Sequence, residues 1–99
     1  MDVTLLYFDG CPNWQEMDEH LVALAAEHPH LHLTRRRVET PQEAEQVGFH
    51  GSPTVVVDGR DAFDEPDLEV ALTCRRYATP DGYRGAPTLD QLRQALGLD

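Results

Sequence analysis

Hydrophobic and polar positions along the chain switch between two periods, and each switch marks an element. Val3 to Phe8 is a short run of branched and aromatic residues closed by Asp9-Gly10, which predicts a buried central strand. From Trp14 the period lengthens: Trp14, Met17, Leu21, Leu24 and Ala25 form one helical stripe, with Glu16, Asp18, Glu19 and His20 largely opposite. Pro12 suits the first helical position, which makes Cys11 the cap residue. Pro29 stops the helix. Alternation returns from Leu31 to Val38, with Leu31, Leu33 and Val38 inward and His32 and Arg35-Arg36-Arg37 mostly outward. Charge in that position fits a strand near the sheet edge, where it discourages stray pairing.

Thr40-Pro41-Gln42-Glu43 then forms a capping box with proline at the first position, so a short helix is predicted to Val47, ending at Gly48. Val55-Val56-Val57 reads as a strand entering a tight Asp58-Gly59 hairpin toward Arg60. Thr88-Leu89-Asp90-Gln91 caps a last helix with Leu89, Leu92, Ala95 and Leu96 on one stripe. Between Arg60 and Pro87 the pattern breaks down. Asp61, Asp64, Glu65, Pro66 and Asp67 look loop-like, and Tyr77 through Arg84 fits a small hairpin around Pro80-Asp81-Gly82. The stretch is long for a structureless loop, which points to a functional or partly ordered segment. Crossover handedness places the first strand centrally and the first helix over one face.

Composition narrows the class. A chain of 99 residues suits one domain, which at this size buries roughly two thirds of its unfolded surface. The formal charge is −10, with no lysine. That balance argues against nucleic acid, whose phosphates demand a cationic face, and fits a well-solvated, repulsive surface. The apolar run from Leu21 to Ala26 is too short to span a bilayer, and Met1-Asp2-Val3-Thr4 lacks the basic start of a signal peptide. A cytoplasmic protein without a membrane partner is expected. There a resting disulfide is unusual and a reactive thiol plausible. His30 and His32 without a third ligand make a poor zinc site, and neither metal nor cofactor is expected.

The candidate chemistry lies at Cys11. A sulfur at a helix start meets orphan N–H groups that favour the thiolate, each pKa unit being about 1.4 kcal/mol. Asp9 nearby works against this. The bland reading of Cys11 is a small buried hydrophobe. Ser52-Pro53-Thr54, just ahead of an apolar run, reads as a proline loop able to lie against the sulfur. His50 is either a proton donor beside that loop or a surface residue. Trp14 is either a core aromatic or a residue shaping substrate access. Cys74 is followed by Arg75 and Arg76, whose charge would lower its pKa. If its loop folds back over Cys11, the two form an intramolecular disulfide with Cys74 as resolving thiol. Loop closure then stabilises by about 4 kcal/mol, nearly offset by stabilised thiolates in the reduced form. Otherwise Cys74 is an isolated cysteine packed under a loop.

Gly10-Cys11-Pro12-Asn13-Trp14, Gly51-Ser52-Pro53-Thr54, the stretch from Ala71 to Gly82 around Cys74, and Gly85-Ala86-Pro87-Thr88 resemble a group of small bacterial proteins of the thioredoxin/glutaredoxin fold. Members are sometimes labelled thioredoxin family protein or alkylmercury lyase. The resemblance covers most of the chain. It departs at Trp14, which stands where the usual motif has its second cysteine. What it implies is an α/β, thioredoxin-like domain over residues 1–99. Its mixed sheet has about four strands with helices on both faces, in the order βαβαββα. It further implies a cis bond at Pro53, with Ser52 offering its backbone to an extended substrate. Cys11 and Cys74 are then the expected catalytic residues, and Pro12, Trp14, Ser52, Pro53 and Thr54 the substrate-binding ones.

Three functions fit. In the first, Cys11 attacks the disulfide of a protein or an electrophile, and Cys74 or a small-molecule thiol completes the cycle. In the second, paired thiolates handle a metal or an organomercurial, with Asp9 as the carboxylate proton donor. The third is a redox-inactive binding module that keeps the groove beside Pro53.

Overall fold

A run as apolar as Val3 to Phe8, interrupted only by Thr4, needs partners on both edges, and it has them. β1 (Asp2–Tyr7) pairs in parallel with β2 (His32–Arg37) and antiparallel with β3 (Thr54–Val57). β3 turns through Asp58-Gly59 into the two-residue β4 (Arg60–Asp61), giving the sheet order β2-β1-β3-β4. The computed structural model describes residues 1–65 and 68–98, so the expected loop residues Pro66 and Asp67 lie outside it. Asp58 and Gly59 have φ of 49° and 89°, the left-handed pair that a two-residue hairpin needs. β2 is one of the two edge strands, with Arg35, Arg36 and Arg37 exposed along it.

The alternation of β1 divides the core between two layers. Val3 and Leu5, with Val55 of β3, face Met17, Leu21 and Leu24 of α1 (Trp14–Glu27) and Leu92 and Leu96 of the α3 segment (Leu89–Ala95 and its C-cap). Leu6 faces the other way, against Val38, Phe49 and Ala44 of α2 (Pro41–Val47). Each fully buried Leu or Met in these layers contributes roughly 1.5–3 kcal/mol. The result is a mixed four-stranded sheet with helices on both faces, resembling thioredoxin-like topology.

Both short helices begin where their caps dictate. The Thr40 hydroxyl accepts from the Glu43 N–H, and Gly48 closes α2 in the left-handed region with φ of 67°. At α3 the Thr88 and Gln91 side chains satisfy each other's backbone N–H groups in a full capping box.

The irregular stretch is more ordered than its composition suggests. β5 (Tyr77–Thr79) and β6 (Gly82–Arg84) form a separate two-stranded sheet, the expected hairpin. Buried Tyr77 joins the main core, and its ring meets Phe63 edge-on at 5.2 Å. Asp61, expected in a loop, instead ends the sheet in β4. Among the described residues no helix is long and apolar enough to cross a membrane.

Candidate functional site: a disulfide docked on the proline loop

Cys11 and Cys74 are joined in a disulfide with their Cα atoms 5.6 Å apart across 63 residues of sequence. The loop carrying Cys74 therefore does fold back over Cys11. The two ends differ in surroundings. Cys11 is fully buried, whereas Cys74 is exposed.

The position of Cys11 corrects one expectation. It is not the cap of α1. That place belongs to Asn13, which makes no side-chain cap bond, and the helix begins at Trp14. The cause is local. The Cys11 N–H donates back to Phe8 O at 3.0 Å, closing a turn at the end of β1, and the Gln15 N–H donates to Pro12 O at 3.2 Å. Helical spacing starts only after those turns, so the sulfur lies ahead of the helix opening rather than on it. Pro12 is exposed in this connection. Asp9 is exposed as well and pairs with Arg37 at 2.9 Å, turned to solvent.

The proline loop is built as the resemblance implied, and Cys74 reaches it. The Ser52–Pro53 bond is cis. Ser52 is fully buried, and its hydroxyl accepts from the Phe8 N–H at 3.0 Å, tying the loop to the end of β1. Its main chain is taken up by the segment around Cys74. The Ser52 N–H donates to Thr73 O at 2.7 Å, and Ser52 O accepts from the Arg75 N–H at 2.9 Å, a parallel β-bridge centred on Cys74. Gly51 permits this approach. It has φ of 105°, and a Cβ there would meet Arg75 Cβ at 3.0 Å. Buried Pro53 accepts a hydrogen bond at its carbonyl from the Tyr77 hydroxyl. Trp14, half-buried, stacks on Tyr7 with ring centroids 4.4 Å apart and packs against the core, so its aromatic body serves the fold.

Sequence reasoning missed the group that anchors Cys74. Arg75 turns inward, its side chain only 5% exposed, and donates to Asp61 Oδ2 at 2.8 Å, Phe63 O at 2.6 Å and the Thr54 hydroxyl at 3.3 Å. Its guanidinium also lies 4.8 Å from the Tyr77 ring centre. Asp61, its side chain 6% exposed, accepts in addition from His50 Nδ1 at 2.7 Å and from the Phe63 N–H at 2.9 Å. The Thr54 hydroxyl donates to Gly51 O at 2.6 Å. His50, considered from sequence as a proton donor near the sulfur, is thus committed to Asp61. His50, Asp61 and Asp64 bring ligand atoms within 4.8 Å of one another beside a pocket of about 600 Å³. Because Asp61 Oδ2 already serves His50 and Arg75, the cluster is an ion-pair network rather than an open donor set. Neither cysteine lines that pocket.

Burial alone would push the Asp61 carboxyl up. Hydrogen bonds from His50, the Phe63 N–H and Arg75, with the Arg75 charge, outweigh it and hold the group below its ordinary 3.8. A depressed carboxylate stabilises the fold above that ordinary value and loses the contribution as pH falls through the lowered one. Asp61→Asn is therefore expected to cost roughly 2–3 kcal/mol at neutral pH and to flatten the loss of stability below pH ~4. Acid unfolding followed by circular dichroism checks this, since parallel slopes in the two proteins would remove Asp61 from the linkage.

No family model, curated protein or solved structure matches the chain. Its likeness to thioredoxin-like proteins is one of topology.

Proposed function

We propose that the chain is a thiol-disulfide exchange protein cycling between the Cys11–Cys74 disulfide and the corresponding dithiol. The observation that carries the reading is the docking of Cys74 on the Ser52 main chain, which holds it beside Cys11 by contacts other than the sulfur–sulfur bond. In the reducing direction one cysteine thiolate attacks a partner disulfide and expels a thiolate. The other cysteine then attacks the mixed disulfide, releasing the second thiolate and closing the Cys11–Cys74 bond. Two electrons pass to the partner, a disulfide-bearing protein or a small-molecule disulfide. In a reducing cytoplasm the dithiol is the resting form, and the disulfide is its oxidised product.

Proximity of the two sulfurs also suits a soft metal held by paired thiolates. Asp9, paired with Arg37 at the surface, does not support an organomercurial lyase. A binding module using the groove beside Pro53 is disfavoured, because the chain's own segment fills that groove.

Equilibration of the folded protein in graded dithiothreitol buffers, with alkylation of free thiols and mass measurement, tests the proposal. Both thiols are expected to appear together in one reversible two-electron transition, and the reduced form is expected to reduce a small-molecule disulfide. A bond that opens only when the protein is unfolded would defeat it.

A further inference from the structure

Within the proposed exchange chemistry, on which this step rests, we infer that an external thiol attacks Cys74 and that Cys11 is the leaving and returning sulfur. We infer also that this thiol is a low-molecular-weight anionic one rather than a cysteine in an extended peptide.

Thiol-disulfide exchange proceeds in line, so the attacked sulfur must be reachable from the side opposite its partner. Cys11 offers no accessible surface, whereas Cys74 is exposed. The reaction therefore enters at Cys74. The attacking thiolate bonds to Cys74 Sγ, the Cys74–Cys11 bond breaks, and Cys11 departs as the thiolate. A second thiolate then attacks the external sulfur of the mixed disulfide and releases Cys74 as its thiolate, and each cysteine takes up a proton. Two thiols become one small disulfide, and the protein gains two electrons. This reverses the roles expected from the sequence, where Cys11 was the attacking sulfur.

The substrate class follows from what already occupies Ser52. Its N–H and C=O are both bonded to residues 73 and 75, and the residue is fully buried, so no second strand can pair there. Opening the disulfide does not free the place. Arg75 is pinned by Asp61, Phe63 O and Thr54 through bonds that do not involve sulfur. A peptide read by main-chain pairing is thus shut out in both redox states, while a small thiol needs only an approach to the exposed residue Cys74. Arg76, exposed and without an ion pair among the described residues, adds positive charge two residues after Cys74 and favours a thiol bearing carboxylates.

Reduced glutathione is a suitable probe. The oxidised full chain is mixed with it, quenched with acid, digested and mapped by mass spectrometry. The mixed disulfide is expected on Cys74. In the reverse direction, reduced Cys11→Ser is expected to take up glutathione from its disulfide at least about tenfold faster than reduced Cys74→Ser. If Cys11→Ser does not fold, the quenched wild-type adduct decides by itself. An adduct on Cys11 overturns the assignment, as do equal rates. A cysteine peptide in extended form that exchanges faster than glutathione overturns the substrate class, as does a bond that dithiothreitol opens in the folded chain but glutathione never touches. Failure of the exchange reading itself looks different, because dithiothreitol would then leave the bond intact in the folded protein.

Discussion

Reduction of the Cys11–Cys74 bond is expected to lower the melting temperature by on the order of 15–30 °C. The bond closes a loop of 63 residues, and in the chain-entropy account a loop of that length is worth about 4 kcal/mol through the unfolded state. In a domain of about 100 residues each kcal/mol moves the midpoint by about 4–8 °C. The same quantity runs the other way round the thermodynamic cycle. If the bond stabilises the fold by about 4 kcal/mol, the fold stabilises the bond equally, and the native pair is roughly 90 mV more reducing than the unfolded one. Calorimetry with and without dithiothreitol reads the first number, and redox titration of native and denaturant-unfolded protein reads the second. Cys74→Ser, at an exposed position, should melt with the reduced parent. A shift below about 5 °C would mean that the reduced unfolded chain keeps these segments together without the bond.

Legibility in the sequence followed the range of the interactions involved. The caps at Thr40 and Thr88 and the Asp58-Gly59 turn depend on residues a few positions apart, and each lies where the local pattern puts it. The stripe on α1 and the burial of β1 were readable from the apolar pattern, whereas the division of the core into two layers shows only in the packing. Cys11 was misplaced by two residues against the helix because its N–H is spent on Phe8, a turn that neither Pro12 nor the helical stripe announces. The disulfide stayed open because it needs the stretch after β4 to return to the proline loop, and no periodicity marks that return. Least legible was the Arg75–Asp61–His50 network. Charges in an aperiodic stretch read as solvent-facing, and only tertiary packing shows that these are covered. The signal available was an arginine directly after a cysteine, with an aspartate directly after the hairpin arginine.

Replacing Arg75 with methionine is expected to destabilise the protein by about 3–5 kcal/mol, because it strands the Asp61 carboxylate at a covered site. His50 and the Phe63 N–H still serve that carboxylate, which places the expectation at the lower end. Arg75→Lys keeps the charge but cannot fork to Asp61, Phe63 O and Thr54 together, so an intermediate loss is expected. Stability alone would not separate a residue that positions Cys74 from one that merely holds the fold. The disulfide midpoint potential does. Without Arg75, the Thr73–Arg75 segment rests on its two bonds to Ser52 alone, the reduced pair is less well aligned for closure, and the potential should rise by roughly 20–60 mV. Leu24→Ala, buried on α1, offers the comparison, since a core truncation costs a similar 2–5 kcal/mol without touching residues 73–75. Its potential is expected to match the parent. Equal potentials in Arg75→Met and Leu24→Ala would reduce Arg75 to a stabilising ion pair, whereas a rise confined to Arg75→Met ties the buried arginine to the sulfur beside it.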